Sequence, residues 1–128
     1  MIADDNHDAA DSLSMLLSMD GYEVQTAYGG CAAVSAAQTF RPDVALLDVG
    51  MPQLDGYAAA KAIRQQRGGM DICLIAVTGW GQDEDKRHAL EAGFDTHMIK
   101  PVDPDQLRGL LRQLVISGQN KRRSEFNE

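Results

Sequence analysis

Acidic side chains follow two apolar runs of this sequence, each at the point where the run ends. Asp4 and Asp5 come directly after residues 1–3, and Asp48 follows the apolar segment VALL. If these runs are parallel strands of one sheet, their carboxyl ends lie at one edge and the three carboxylates share a pocket. Like charges in one pocket repel, and a bound cation relieves that repulsion at neutral pH. Because the ligands are oxygen atoms, without His or Cys, the residues favour Mg²⁺.

A hydroxyl and an ammonium group stand at two further predicted strand ends. Thr78 ends the run ICLIAVT, and Lys100 ends THMIK. A cation, a fixed positive charge and a hydroxyl donor together suit phosphoryl transfer, in which positioning and electrostatic stabilisation do most of the work. A carboxylate can serve as the nucleophile and form an aspartyl phosphate. Asp48 is the candidate, because a central strand would hold it while the turn at residues 50–52 leaves its outer face accessible.

Short apolar runs alternate with segments of helical period along the sequence. The predicted strands are residues 1–3, 22–26, 43–47, 72–78 and 96–100, and the predicted helices are about 6–20, 30–40, 57–67, 82–92 and 104 onward. Five βα units predict an α/β, doubly wound parallel sheet of order 2-1-3-4-5 with helices on both faces. The third and fourth runs do not alternate with polar residues, which predicts central strands. Asp55 is predicted to be a turn residue, and His7 and His88 to be exposed polar positions.

The composition limits the domain count and the partners. The 128 residues are enough for one domain, predicted at 1–116, followed by a polar tail or linker at 117–128 that is expected to be partly disordered. A net charge of −7 argues against non-specific nucleic-acid binding by this chain. The start, MIADDN, has neither the basic segment nor the apolar run of a secretory signal, and no window is apolar enough to span a membrane. A cytoplasmic location without membrane contact is therefore expected.

Four segments, in order, resemble the receiver domain of two-component response regulators, which has a flavodoxin-like (βα)5 fold. They are ADDN, LLDVGMPQLDG, AVTG and AGFDTHMIKPVD, and the resemblance covers residues 1 to about 116. It implies that Asp48 is the phosphoacceptor, which takes a phosphoryl group from a phosphohistidine on a sensor histidine kinase or a histidine phosphotransfer protein. It also implies a signalling switch that promotes its own aspartyl phosphorylation and dephosphorylation, with any kinase activity in another domain.

The resemblance also implies the metal ligands and the phosphoryl contacts. The implied ligands of Mg²⁺, or of Mn²⁺ in its place, are the carboxylates of Asp4, Asp5 and Asp48 and the backbone carbonyl of Gly50. Asp4 would act mostly through water. Thr78 and Lys100 would contact the phosphoryl oxygens, and the peptide bond between Lys100 and Pro101 would be cis, which X-Pro bonds adopt at low cost.

Two departures from the family pattern concern the switch and the phosphoryl lifetime. Three residues before the lysine, where the family usually has Tyr or Phe, this chain has His97. In the family, Thr78 would move toward the phosphoryl group and the residue at position 97 would pass this change on to the face formed by the fourth helix, fifth strand and fifth helix. Here that residue is an imidazole, whose charge depends on pH. Gly50 and Trp80 flank the phosphoryl group in the family, and their sizes act in opposite directions on water access.

Several alternatives stay open from the sequence. A phosphatase of the haloacid dehalogenase type would also use a strand-end aspartate, but it needs an acid where Gly50 stands. A flavodoxin-type flavin module would have to hold a phosphate at DDNHD, which would repel it. A degenerate receiver could act as a scaffold, although no essential residue is missing. The segments TGWGQDEDKRHALEAGFD and KPVDPDQL most resemble receivers of hybrid sensor kinases, and a free-standing single-domain regulator, monomeric or weakly dimeric, is the alternative.

Overall fold

The computed structural model describes residues 1–51, 53–79 and 83–114. They form a parallel five-stranded sheet of order β2-β1-β3-β4-β5. The strands are β1 (Ile2–Ala3), β2 (Thr26–Ala27), β3 (Val44–Asp48), β4 (Cys73–Thr78) and β5 (Thr96–Ile99). The helices are α1 (His7–Met19), α2 (Gly30–Phe40), α3 (Gly56–Gln65), α4 (Asp83–Ala92) and α5 (104–114), with a short 3-10 helix at Gly69–Asp71. The predicted doubly wound fold and its strand order are confirmed.

The two longest strands, β3 and β4, lie side by side at the centre of the sheet. Their side chains are apolar on both faces, and Leu47, Leu74 and Ile75 are fully buried. β3 is paired with β4 along its whole length. Each of the two strands ends in a buried polar residue, Asp48 on β3 and Thr78 on β4. The closely packed central strands therefore hold both residues in fixed positions at the same edge of the sheet.

Helices cover both faces of the sheet, and the two cores differ in side-chain size. α2, α3 and α4 pack on one face mainly through alanines: Ala33, Ala36, Ala37, Ala59, Ala60, Ala89 and Ala92. α1 and α5 pack on the other face through Ala10, Leu17, Leu107 and Leu111. α2 and α3 are also joined directly, because Gln66 Nε2 donates a hydrogen bond of 2.8 Å to the carbonyl oxygen of Val34.

Polar caps and glycines set the ends of the helices. The Asn6 side chain accepts a hydrogen bond from the Ala9 N–H at the start of α1. Asp55, predicted as a turn residue, accepts from the Ala58 N–H at 2.8 Å and so caps α3. Gly93 follows α4 with a φ of +106°, a conformation that favours glycine. The Lys100–Pro101 peptide bond is cis, as predicted.

Two elements have a boundary that differs by more than one residue from the sequence prediction. The second strand was expected at 22–26, but β2 contains Thr26–Ala27 alone, paired with Ile2–Ala3. A strand extends only as far as its neighbour supplies hydrogen-bond partners, and β1 is two residues long. The third helix was expected to reach residue 67 but ends at Gln65, because Gln66 has an extended backbone, with a ψ of 156°.

A cavity of about 270 Å³ lies at the amino end of the strands, lined by Met1, Tyr22, Phe40, Val44 and other residues. The acidic residues singled out in the sequence do not line it, because they follow the opposite ends of their strands. Among the described helices, none combines the length and the apolar character needed to cross a bilayer.

Candidate phosphoryl-transfer site

Three carboxylates meet at the carboxyl edge of the sheet. Asp4 and Asp5 directly follow β1, and Asp48 is the last residue of β3. One oxygen atom from each of the three lies within 4.8 Å of the others. The exposure of the three side chains rises from Asp48, which is 3% exposed, through the half-buried Asp4 to the exposed Asp5. The structure thus brings together the residues that the sequence placed at separate strand ends.

Asp48 is held by two donors that contact different oxygen atoms. The backbone N–H of Gly50 donates to Oδ1 at 2.9 Å, and Lys100 Nζ donates to Oδ2 at 2.7 Å. The Lys100 side chain is 41% exposed, so its charge reaches the buried carboxylate from the solvent side. Both contacts are charge-assisted, which makes them stronger than hydrogen bonds between neutral groups. They fix the orientation of a carboxylate that a backbone strand already holds in position.

Thr78 and Lys100 are also joined through the backbone. The Lys100 N–H donates to the Thr78 carbonyl oxygen at 2.7 Å, so the ends of β4 and β5 are held together next to Asp48. The Thr78 side chain is 2% exposed. His97 is half-buried and lies in register with Ala76, two residues before Thr78. Trp80, which the family resemblance places beside the phosphoryl group, lies outside the described residues.

The negative charge and the burial of the pocket affect the pKa of Asp4. Burial raises the pKa of its carboxyl group above the ordinary value of 3.8, and Asp48 raises it further, as a nearby negative charge and as a hydrogen-bond partner. The Asn6 N–H donates to Asp4 Oδ1 at 2.9 Å and opposes the rise in pKa. The charge of Lys100 opposes it as well. The raised pKa is the expected response of a carboxylate placed in a partly dry, negatively charged pocket.

The donor set fits a hard divalent cation. Three carboxylates and the ammonium group of Lys100 sum to a charge of −2 at neutral pH, and all the candidate ligand atoms are oxygens. Gly50 is exposed in the turn after β3, and its N–H contacts Asp48 Oδ1, so its backbone lies beside the carboxylate. Because Asp5 is exposed, water can complete the coordination. The residues present therefore fit Mg²⁺.

A glycine that the sequence did not single out sets the distance between α3 and the site. A Cβ atom added at Gly56 would lie 2.6 Å from the Asp48 carbonyl oxygen and 2.6 Å from the Val49 Cα. The first turn of α3 is therefore packed against the backbone that carries Asp48. Gly50 differs, because among the described residues a Cβ atom there would meet Asp48 Oδ1 alone, at 3.5 Å. The signal in the sequence was the Asp55-Gly56 pair directly before an apolar helical period.

Two aromatic contacts were not predicted from the sequence. His7 stacks on Tyr28, and His88 stacks on Tyr57, with ring centroids 3.8 Å and 3.7 Å apart. Both histidines are exposed, as predicted, but each is packed against a tyrosine from another part of the chain. The sequence contained a weak signal at His7, because Asp11 follows one helical turn later. In the structure, Asp11 accepts a hydrogen bond from the hydroxyl of the same tyrosine, Tyr28.

The family model of the response regulator receiver domain matches residues 1–112. This chain belongs to the response regulator receiver family. Receiver domains are signalling switches of two-component systems. Among curated relatives, the probable transcriptional regulator ycf27 of Cyanophora paradoxa is 36% identical over 120 residues, which are 94% of this chain and 49% of that protein. The receiver spans about half the length of the curated transcriptional regulators it matches.

Two solved receiver structures are similar over most of the chain. The first is a receiver domain protein from Methanospirillum hungatei, with a TM-score of 0.85, 27% identity and coverage of 94% of both chains. The second is the receiver domain of a sensor histidine kinase from Pseudomonas aeruginosa, solved with magnesium in its active-site cleft. Its TM-score is 0.81 at 31% identity, with 89% of this chain and 93% of that one covered. The expectation that this receiver is most like those of hybrid kinases is not confirmed, because the first curated relatives are transcriptional regulators.

Proposed function

We propose that Asp48 is the phosphoacceptor of this receiver and that its donor is a phosphohistidine on a sensor histidine kinase or a histidine phosphotransfer protein. The observation that supports the proposal is the position of the Asp48 carboxylate, between Lys100 Nζ at 2.7 Å and two further carboxylates within 4.8 Å. In the transfer, the phosphorus–nitrogen bond of the donor breaks while a phosphorus–oxygen bond to Asp48 forms. The donor imidazole leaves with the electron pair of the broken bond, and the product is an aspartyl phosphate.

The acidic pocket would hold Mg²⁺, with Mn²⁺ as a substitute. Asp5, Asp48 and the Gly50 carbonyl would be direct ligands, and the half-buried Asp4, already hydrogen-bonded to the Asn6 N–H, would act mostly through water. When bound, the ion supplies positive charge that offsets the phosphoryl oxygens and the three carboxylates.

Lys100 and Thr78 would receive the phosphoryl oxygens. Lys100 contacts Asp48 from the side that is open to solvent, so its ammonium group can exchange a carboxylate oxygen for a phosphoryl oxygen without crossing the pocket. Thr78 supplies a hydroxyl at the end of the neighbouring strand. These two groups stabilise the charge of the transferring group by position, which is the main requirement in phosphoryl transfer.

The output surface would be the face formed by α4, β5 and α5. Movement of Thr78 toward the phosphoryl group would change the space available to His97 on the adjacent strand, and His97 would relay the change to this face. Two large apolar side chains are exposed on it, Leu90 on α4 at 66% and Ile99 on β5 at 49%. Phosphorylation would shift the equilibrium between the inactive and the active conformation of this face only if the phosphoryl group interacts more favourably with one of them.

We infer that residues 1–116 form the receiver and 117–128 a tail or linker, within a hybrid sensor kinase in the cytoplasm, and a free-standing single-domain regulator is the alternative. The family match to residues 1–112 supports the domain boundary. The net charge of −7 favours protein partners over nucleic acid for this chain, with a monomer or a weak dimer as the assembly.

Acetyl phosphate tests the acceptor directly. The receiver is incubated with acetyl phosphate and Mg²⁺, and its intact mass is measured for the wild type, Asp48→Asn and Asp43→Asn. The Asp43→Asn variant is the matched control, because Asp43 lies next to the opposite end of β3. We expect one phosphoryl group on the wild type and on Asp43→Asn, and none on Asp48→Asn. Equal uptake by all three proteins would reject Asp48 as the acceptor.

The relay has a separate test. Replacing His97 by Ala should change the affinity for a phosphorylation-dependent partner more than it changes phosphoryl uptake, because His97 lies two register positions from the strand end that carries Thr78. A loss of uptake with unchanged partner affinity would contradict the relay.

A further inference from the structure

Ala27, the last residue of β2, and Tyr28, which follows it, contact the two ends of the loop that carries Asp4 and Asp5. This loop, residues 4–6, joins β1 to α1. At its start, the Asp4 N–H donates to the Ala27 carbonyl oxygen at 3.0 Å. At its end, the His7 ring stacks on the Tyr28 ring, with centroids 3.8 Å and planes 12° apart. Ala27 therefore holds the start of the loop, and Tyr28 holds its end.

The Tyr28 side chain is held by two residues of α1 that are one turn apart. His7 and Asp11 are separated by four positions and so lie on the same face of the helix. His7 covers the ring, and Asp11 Oδ1 accepts a hydrogen bond of 2.6 Å from the Tyr28 hydroxyl. Thr26 Oγ1 donates to the same hydroxyl at 3.4 Å. Tyr28 remains 40% exposed, so these contacts fix its direction more than they bury apolar surface.

Asp5 depends on this arrangement more than its two acidic neighbours do. Asp48 is fixed by two donors, and Asp4 accepts a hydrogen bond from the Asn6 N–H. Within the described ranges, no group donates a hydrogen bond to the exposed carboxylate of Asp5. Its position follows from where the loop begins and ends, and His7 is two residues further along the chain.

We propose that Tyr28 is a positioning residue for the Mg²⁺ site: it anchors the start of α1 through His7 and Asp11 and thereby holds Asp5 within reach of Asp4 and Asp48. This inference rests on the proposed function, because it requires that the three carboxylates bind Mg²⁺. Tyr28 touches neither the ion nor the phosphoryl group, so it acts on the affinity for Mg²⁺ and leaves the transfer step itself unchanged.

Mg²⁺ titrations by isothermal calorimetry test the proposal on the wild type, Tyr28→Leu, His7→Ala and the double variant. We expect each single change to raise the Kd for Mg²⁺ about tenfold, the lower end of the effect of groups that orient metal ligands. The double variant should bind Mg²⁺ no more weakly than Tyr28→Leu, because that change already removes the stacking contact that His7→Ala removes. At saturating Mg²⁺, phosphoryl uptake from acetyl phosphate should return to the wild-type rate, which a general loss of structure would not allow.

A measurement without metal and a conservative variant complete the test. In EDTA, the backbone amides of residues 5–7 should exchange hydrogen faster in Tyr28→Leu than in the wild type, while exchange in β3 and β4 is unchanged. Tyr28→Phe keeps the ring and should retain most of the Mg²⁺ affinity. Met19→Ala is the control for an exposed change on α1, since Met19 is 77% exposed at the far end of the helix.

The outcomes separate the positioning role from the proposed function. If Asp5→Asn weakens Mg²⁺ binding while Tyr28→Leu and His7→Ala bind as tightly as the wild type, the positioning role is wrong and the metal site stands. If the wild type and Asp5→Asn bind Mg²⁺ equally, the acidic site itself is wrong. If Tyr28→Leu does not fold, the exposed His7→Ala variant decides the question by the same criterion.

Discussion

Replacing Asp5 by Asn should make the metal-free receiver more stable. The change removes one of three carboxylates whose oxygen atoms lie within 4.8 Å of one another. At 4.8 Å, Coulomb's law gives about 0.9 kcal/mol for each pair of unit charges in water and about 3.5 kcal/mol at an effective dielectric constant of about 20. Asp5 is exposed, so the value for water applies to its repulsion from Asp4 and from Asp48. Part of this gain is offset because the attraction between Asp5 and Lys100 is also lost.

The net effect in EDTA is a rise of about 1 kcal/mol in the free energy of unfolding. For a domain of this size, that raises Tm by about 4 °C. In Mg²⁺, the wild type should instead be the more stable of the two proteins. At about 100 times its Kd, Mg²⁺ adds about 2.7 kcal/mol to the wild type, whereas a site weakened about 100-fold gains only about 0.4 kcal/mol. The variant is therefore more stable than the wild type in EDTA and less stable in Mg²⁺.

Thermal unfolding followed by circular dichroism, in EDTA and in Mg²⁺, measures both differences. Glu23→Gln is the matched control, because it removes the same charge from an exposed residue beside the cavity at the opposite end of the sheet. It should leave the response to Mg²⁺ as in the wild type. An Asp5→Asn variant that is less stable than the wild type in EDTA, or that gains as much from Mg²⁺, would refute the electrostatic reasoning.

Three further outcomes follow from the site geometry. Lys100→Met should lower the free energy of unfolding in EDTA by about 2 kcal/mol, because Asp48, 3% exposed, loses a charged donor; an unchanged urea midpoint would contradict this. The raised pKa of Asp4 means that the folded state holds its proton to higher pH than the unfolded state. In EDTA, the Asp4 contribution to stability is therefore present below pH 3.8 and is lost as pH rises through the raised pKa. The stability of Asp4→Asn relative to the wild type should accordingly increase with pH, and a constant difference in urea titrations would count against the raised pKa. Gly56→Ala should cost about 2 kcal/mol, because its Cβ atom would lie 2.6 Å from the Asp48 carbonyl oxygen. Within the described part of the chain, a Cβ atom at Gly50 has its nearest contact at 3.5 Å. Gly50→Ala is therefore the control, and equal costs for the two variants would show that α3 can move away from Asp48.

The sequence predicted the ends of the central strands better than it predicted the edge strands of the sheet. Asp48 and Thr78 could be placed because continuous apolar runs indicate central strands, and the carboxyl ends of parallel strands meet at one edge. The length of β2 could not be predicted in this way. It depends on how many backbone partners β1 offers, and that is a property of the pair of strands rather than of residues 22–26.

Side-chain contacts between residues far apart in the sequence could not be predicted either. The pattern predicted that His7 and His88 are exposed, which they are, but the tyrosines on which they stack come from other parts of the chain. Local periodicity carries no information about which exposed ring meets another. The close approach at Gly56 was missed for a related reason, since Asp-Gly is typical of turns and only the packed structure distinguishes a turn from a required small residue.

The alanine layer between α2 and α3 has a mechanical consequence. Methyl side chains have no rotamers, so this interface cannot absorb a displacement by rearranging its side chains, as a layer of leucines or methionines could. The buried alanines of α2 and α3, together with the hydrogen bond from Gln66 to Val34, should make the two helices move as a single stiff body. A conformational change that starts at Asp48 would then displace α4 and β5 rather than α2 and α3. α4 and β5 carry larger side chains that can change rotamer, such as Leu90 and Met98.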